Sequence, residues 1–243
     1  HMKTLASPHR NVLAMAAQPW GGNCAVPQFI DTYDPDDTRL KDTWIMGPQY
    51  SVTDGSLVLT YTKSVASIDN TGFFEGYRIG KYEIKVGATG ALSVDYPMFR
   101  LADVMMMKAE SLLRTGQADA AATFVTQVRS RAFATTNPAK ATVTGAQLQL
   151  GSSYVYGLQT PDGLIPVKEY GTDIPFGRML DELGWEFAAE GRRRMDLIRF
   201  GVFDRKSWFN HSPKNDGKKR FLFPIPQAEL DKNANLQQNP DYK

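Results

Sequence analysis

Between Asp181 and Gly201 the chain reads DELGWEFAAEGRRRMDLIRFG, three consecutive arginines set between a run of carboxylates and an apolar segment. On a helix Glu182, Glu186 and Glu190 fall every four residues in one row, Arg194 extends that row, and Arg192 stands four residues before Asp196. Three chemistries suit such a set. Unpaired cations would grip a nucleic acid. Two carboxylates about 5–5.5 Å apart would suit a retaining glycoside hydrolase that uses Glu186 or Glu190. Paired charges would hold a helical scaffold together. Nucleic-acid binding calls for aromatics interleaved with a basic surplus, whereas the chain carries 28 basic and 26 acidic residues, a net charge of +2. Acids on a helix face most often form a solvated or salt-bridged surface. The spacing therefore predicts scaffold, with most of these charges paired to one another.

A second set of residues suits recognition. Sugar rings lay apolar C–H faces on aromatic rings and need amide or carboxylate partners for their hydroxyls. Trp20 with Asn23 and Gln28 in QPWGGNCAVPQF, and Trp44 with Asp42 and Tyr50 in KDTWIMGPQY, offer that combination within Gly- and Pro-rich segments. Trp20, Asn23, Trp44 and Tyr50 are the candidate ligand-binding residues. The competing expectation is that a loop tryptophan packs as a cap over the core. Phe73, Phe74 and Tyr77 are expected in the core. Trp208 and His211 lie in a basic loop, DRKSWFNHSPKNDGKKR, whose Lys218–Arg220 run reads as solvated charge. Three scattered histidines without ligand spacing predict no metal site. With no nucleophile elbow, phosphate loop or metal motif, the expectation is a non-catalytic protein without a cofactor.

The elements that must position these residues divide the chain in two. Residues 1–95 are rich in Gly, Pro, Asp, Thr and aromatics, without a sustained helical period. The best strands there are SLVLTYT (56–62) and YRIGKYEIKV (77–86), the second alternating Tyr82, Ile84 and Val86 on one face, with Asn70 and Gly72 as turn residues between them. Residues 96–243 are helical in pattern. FRLADVMMMKAESLLRTG places Leu101, Val104, Met105, Ala109, Leu112 and Leu113 on one stripe and stops at Gly116. ADAAATFVTQVRSRAF follows at once, with Asp119 expected as N-cap and Ala121, Phe124, Val125, Val128 and Ala132 buried, so the two helices fold back as a hairpin. Residues 137–171 read as a long irregular excursion. A second helical unit is expected from Ile174-Pro175, burying Phe176, Met179, Leu180, Leu183 and Phe187, with Gly184 marking close packing. The two regions are expected to form one continuous domain.

The chain of 243 residues is 42% hydrophobic, enough for a full core. Its single cysteine, Cys24, excludes an internal disulfide framework. The apolar run Val12–Ala17 is too short for a secretory signal, and Asn23 stands where a cleavage site needs a small residue. His1-Met2 reads as a cloning remnant, so a natural N-terminus bearing any targeting signal is expected to be missing. No stretch reaches the ~18 apolar residues of a membrane span.

Several motifs, DTYDPDDTR, GKYE, the run from YPMFRLADV to SRAF, LDELGWEFAAEGRRRMDLIRFG and LFPIPQAELDKNANLQQNPDY, occur in an order that resembles the carboxy-terminal half of SusD/RagB proteins, over about Asp31 to Tyr242. The resemblance implies a mainly α fold, a tetratricopeptide-like helical superhelix with a loop-rich region and a few short strands. It implies a surface lipoprotein of Bacteroidetes-type bacteria, lipid-anchored in the outer membrane, that captures glycan or another nutrient for a TonB-dependent, SusC-like transporter. In it the arginine-rich helix pair is scaffold. The family's lipidated N-terminal cysteine and first helical repeats have no counterpart here, so the chain is expected to be truncated. The alternative expectation is a helical-repeat scaffold that binds protein and no sugar.

Overall fold

The computed structural model describes residues 8–19, 23–67, 72–89, 94–214 and 218–242. Trp20 and Asn70 lie outside the described residues. The first part of the chain contributes two short helices, α1 (Pro27–Ile30) and α2 (Thr38–Thr43), and strands β1 (Trp44–Ile45), β2 (Gly47–Tyr50), β3 (Leu57–Tyr61) and β4 (Arg78–Ile79). β2 and β3 form an antiparallel hairpin, and β1 pairs antiparallel with β4. The long helices α3 (Leu101–Arg114) and α4 (Ala118–Phe133) follow, then α5 (Gly145–Leu148), β5 (Val155–Leu158), β6 (Glu169–Tyr170), α6 (Gly177–Glu186), α7 (Arg193–Arg199), β7 (Trp208–Phe209) and α8 (Gln227–Lys232). The fold is mainly helical with a few short strands, as expected.

α3 and α4 form the expected hairpin. Gly116 reverses the chain at φ +81°, a left-handed conformation that costs glycine least. The N-cap of α4 is Gln117, not Asp119, which sits in the first turn, where a carboxylate favours the positive end of the helix dipole. The buried face of α3 also differs from expectation. It runs through Ala102, Met106, Ala109 and Leu113 and includes Asp103 and Glu110, while Leu101 and Val104 are exposed. The two acids turn inward because cations meet them: Arg192 ion-pairs with Asp103, and Arg199 grips both oxygens of Glu110 at 2.9 Å.

Other expectations shift. The strand over 77–86 shortens to Arg78–Ile79, with Tyr82 buried and Val86 exposed. Phe73 and Phe74 are exposed rather than core. The segment 137–171 holds α5, β5 and β6 instead of irregular chain. α5 is fixed by a capping box in which Thr144 and Gln147 bond each other's backbone. α6 starts at Gly177 after a left-handed Phe176, past the expected Pro175. A Cβ on Gly177 would lie 2.0 Å from the Ser152 nitrogen, so only glycine lets the two backbones meet there.

α6 is not a surface helix. Every residue from Met179 to Phe187 is buried, Glu182 and Glu186 included. The carboxylate row is thus internal, and it does not continue to the arginine triplet, because α6 ends at Glu186 and the chain turns left-handed at Ala189 and Gly191 before α7. Glu186 receives Arg100 at 2.7 Å, Arg131 at 2.8 Å and Arg39 at 3.3 Å. Glu182 receives Arg129 and Arg178, each at 2.7 Å. Glu190 takes Arg100 at 2.8 Å and also pairs with Lys81. Arg39 is itself held by Asp37 at 2.6 Å, the residue that caps α2. Burial pushes the Glu186 carboxyl up, but Arg100, Arg39 and Arg131 outweigh it and hold the group below its ordinary range.

The arginine triplet is scaffold, by contacts other than those expected. Arg192 pairs with Asp103 rather than Asp196, Arg193 donates to the Leu180 carbonyl at 2.9 Å, and Arg194 donates to the carbonyls of Arg220 and Phe221. Asp196 pairs instead with Arg199 at 2.7 Å.

The largest core cluster lies between α3, α4, α6, α7 and the sheet β6-β5-β7, in which β5 pairs antiparallel with β6 and parallel with β7. A second cluster joins Ala25, Ile30, Tyr33 and Trp44 to Trp185 and Ala188, so α1 and β1 share the face of α6.

Glu186→Gln takes a shared carboxylate from buried Arg39, half-buried Arg100 and exposed Arg131 and is expected to cost ~3–5 kcal/mol in denaturant unfolding at pH 7. Because the folded pKa of Glu186 lies below its unfolded value near 4.5, its stabilisation is full above that value and is lost as pH falls through the folded pKa. The variant is therefore expected to show a shallower acid limb than wild type. Trp44→Ala is expected to cost ~3–5 kcal/mol, whereas Tyr50→Ala at an exposed strand end is expected to change stability by no more than about 0.5 kcal/mol.

Candidate ligand-binding hollow

Five aromatic side chains, from α1, β1, β7 and the start of β5, converge near the segment that begins at Asn23. Tyr154 precedes β5 by one residue and Tyr156 lies within it; with two-residue alternation both point to the same face, their rings 4.4 Å apart. Trp208 of β7 meets Tyr156 edge-on at 6.4 Å. Phe29 of α1 meets Trp44 edge-on at 6.5 Å. Between them lies a hollow of about 230 Å³, with Cys24 and Val26 at its rim and Gly184, Arg193 and Asp196 along one wall. A Cβ at Gly184 would lie 2.9 Å from Arg193 Nη1 and 3.2 Å from Phe29, so the glycine leaves room for the arginine and the ring, in line with the expected close packing.

Gln28 is the tie that sets this geometry. It is buried, its amide nitrogen donates to the Gly157 carbonyl at 3.0 Å, and its oxygen accepts from the Phe209 amide at 2.9 Å. It thereby joins α1 to β5 and β7, and its polar atoms serve the scaffold rather than a ligand.

The hollow is mostly apolar, with few polar groups. Burial pushes the Tyr154 phenol up and that of Tyr156 to about 12, so both remain protonated near neutrality and can donate or accept hydrogen bonds. Burial also raises the Asp196 carboxyl against the pull of Arg199. The Arg193 guanidinium stands 5.8 Å from the Phe29 ring centre. A space of this size, below the ~300 Å³ at the low end of drug-sized sites, suits a single small ring with apolar faces and hydroxyl edges.

The sequence candidates scatter around this hollow. Trp44 lines it but is a core residue, 7% exposed, its indole nitrogen 3.4 Å from the Tyr33 hydroxyl. Asn23 is exposed next to the rim residue Cys24. Tyr50 is 56% exposed at the end of β2 and does not line it. Asp42 faces a different hollow of about 530 Å³ beside Lys81, Arg100 and Arg131, whose charges already meet Glu186 and Glu190. Tyr154 and Tyr156, outside the sequence candidates, and Trp208, placed by sequence only in a basic loop, also line the hollow. The alternation S-S-Y-V-Y-G was the signal, within a segment otherwise rich in turn residues. His211 stacks on Trp208 at 3.8 Å, and its Nε2 lies 2.9 Å from the Phe203 carbonyl, so it supports the wall. Among the described residues no cluster of three or more His, Cys, Asp or Glu could hold a metal ion, and no helix is long and apolar enough to cross a membrane.

The starch-binding protein SusD of Bacteroides thetaiotaomicron is 28% identical over 185 residues, which cover 71% of this chain and 27% of that protein. Three solved structures share the fold. A SusD-like protein from Bacteroides fragilis superposes with a TM-score of 0.61 at 15% identity, over 97% of this chain and 50% of its own. A SusD homologue from B. thetaiotaomicron gives 0.59 at 21%, over 96% and 47%. NanU of B. fragilis gives 0.55 at 22%, over 90% and 39%. The chain thus spans half or less of the length of these relatives. The model of the SusD family matches residues 24–242, nearly the whole sequence, and the chain belongs to that family.

Proposed function

We propose that this chain is a non-catalytic binding protein that captures a nutrient oligosaccharide at the surface of a Bacteroidetes-type bacterium. In this reading it is lipid-anchored in the outer membrane in its full-length form and hands the ligand to a TonB-dependent, SusC-like transporter. The observation that carries the reading is the meeting of Trp44, Tyr154, Tyr156 and Trp208 around one hollow in a member of the SusD family, one of whose relatives is a starch-binding protein. Trp208 and the tyrosines supply a stacking wall, Arg193 and the phenols supply hydrogen bonds, Asn23 stands beside the lining residue Cys24, and Trp20, outside the described residues, is proposed as a further contact. Tyr50 is proposed as an outlying platform for a longer chain. Glu186 is held low by its arginines, against the raised pKa a general acid needs, and Glu190 is taken up by Arg100 and Lys81, so both acids are read as scaffold.

A second reading, a scaffold that binds protein, draws on the outer face of α3, where Phe99, Leu101 and Val104 stand exposed beside one another. Affinity electrophoresis through gels containing neutral polysaccharides, starch among them, separates the two. The expected outcome is retardation by one glycan, weakened by Trp208→Ala and Trp20→Ala by ~2 kcal/mol or more, with no reducing ends released. Absence of retardation by any glycan, with thermal melting showing folded protein, overturns the capture reading in favour of the scaffold. Release of reducing sugar overturns the non-catalytic assignment.

A further inference from the structure

The two tyrosines of the hollow follow a tightly folded piece of chain. β5 meets β6 over two residue pairs and β7 over two more, short ladders that by themselves fix register weakly. A slip of one residue would turn Tyr154 and Tyr156 away from the hollow and put Val155 in their place. The position of β5 is set instead where the strand begins. The Ser152 amide donates to the Gly171 carbonyl at 2.9 Å, and the Arg178 amide donates to the Leu150 carbonyl at 3.0 Å. These bonds hold residues 150–152 against both the end of β6 and the first turn of α6. Glycine is needed on each side: a Cβ on Gly171 would lie 2.7 Å from that of Ser152, and one on Gly151 would strike the Thr172 backbone.

Asp181, one turn beyond Gly177 on the same face of α6, closes this contact from a buried position. Its Oδ1 accepts from the Ser152 hydroxyl at 2.5 Å, and its Oδ2 accepts from the Ser153 amide at 2.7 Å and the Ser153 hydroxyl at 2.9 Å. The Ser152 oxygen in turn accepts from the Tyr154 amide at 3.1 Å, so one hydroxyl separates the carboxylate from the backbone of the first tyrosine. Glu182, Glu186 and Glu190 are met by arginines. Asp181 is met by three uncharged donors and has no ion pair among the described residues. Arg193 of α7 acts on it as a charge but donates through Nη1 to the Leu180 carbonyl, and the Tyr156 phenol is the titratable group that faces it from β5.

We infer that Asp181 is the positioning residue of the tyrosine wall: through Ser152 and Ser153 it fixes where β5 starts and so keeps Tyr154 and Tyr156 turned to the hollow. Its effect on ligand affinity rests on the hollow being the glycan site proposed for this chain; its effect on the tyrosines does not. An ionised carboxylate offers only acceptors, which matches three donors. A protonated carboxyl brings a further hydrogen into the same space, and at least one of the three bonds must turn or break. Burial pushes the Asp181 carboxyl up against the pull of Ser152, Ser153 and Arg193, so the clamp loosens in mild acid, above the ordinary carboxylate range. Stability runs the other way. With the folded pKa above the unfolded value near 3.8, the stabilisation from Asp181 is full below the unfolded value and is lost as pH rises through the folded one. General unfolding would not loosen the wall over a range in which this group gains stability.

Fluorine NMR of protein labelled with fluorotyrosine, its signals assigned with Tyr154→Phe and Tyr156→Phe, reads the wall without any ligand. Both signals are expected to move together as pH falls from neutrality toward the ordinary carboxylate range, and to stay fixed in Asp181→Asn. Asp196 and His211 also titrate beside the hollow and remain in that variant, so the difference between the two proteins isolates Asp181. Ser153→Ala removes one donor and keeps the backbone bond; it should move the midpoint to higher pH, and it carries the test if Asp181→Asn does not fold. In gels containing soluble starch, Asp181→Asn is expected to weaken retardation at neutral pH by about tenfold. Wild-type retardation should fall with the midpoint of the fluorine signals. Signals that do not move, or that move alike in wild type and Asp181→Asn, overturn the assignment. So does a midpoint that Ser153→Ala leaves unchanged or lowers, or starch retardation that Asp181→Asn leaves intact. The expected fluorine titration in a wild type that starch does not retard supports the hold of Asp181 on the wall and counts against the capture reading alone, so the two failures are told apart.

Discussion

The architecture hangs on the carboxylates of α6. A helix buried on all sides cannot carry Glu182 and Glu186 unless cations come to them, because an unpaired charge in such a place costs several kcal/mol. Those cations arrive from distant parts of the chain: Arg39 from α2, Arg100 from the entry to α3, Arg129 and Arg131 from the last turns of α4, with Lys81 reaching Glu190 from the loop after β4. Each pair fixes one element against the central helix. The hydrophobic clusters supply the bulk of the driving force, and the ion pairs fix which residue of each element faces α6.

The same helix connects scaffold and site. One side of α6 meets the arginines; Leu183, Gly184 and Phe187 on another side form a wall of the aromatic hollow. Gln28 completes the opposite wall by tying α1 to both β5 and β7, and the Tyr154–Tyr156 pair and Trp208 are held in place by that tie. A hollow assembled from α1, β1, β5, α6, α7 and β7 does not belong to any contiguous piece of sequence.

That distribution explains what could be read beforehand. The α3–α4 hairpin was legible because period, breaker and stop all agree locally, and Gly116 adopts the positive φ that such a stop requires. The family motifs gave the fold class. The row Glu182, Glu186, Glu190 was legible as a row, but not as buried: local spacing says which charges can share a helix face, and only the tertiary arrangement brings Arg39, Arg100 and Arg131 to it. The face of α3 was misread for the same reason, since Asp103 and Glu110 turn inward to meet Arg192 and Arg199. Trp44 was picked by residue type, and its burial depends on Tyr33 and Trp185, far apart in sequence. The Tyr154–Tyr156 alternation spans too few residues to stand out against the glycines and serines around it.

The shared use of Glu186 has a consequence for how such a sequence can drift. One carboxylate serves Arg39, Arg100 and Arg131 together, and Arg100 also serves Glu190, so neither Glu186 nor Arg100 can be exchanged without unsettling several others. Neutral single steps are closed at these positions, and change must pass through coordinated replacement or not occur. The aromatic residues that line the hollow, Phe29, Trp44, Tyr154, Tyr156 and Trp208, stand outside that ion-pair set, so replacement there does not disturb the charges of the interior.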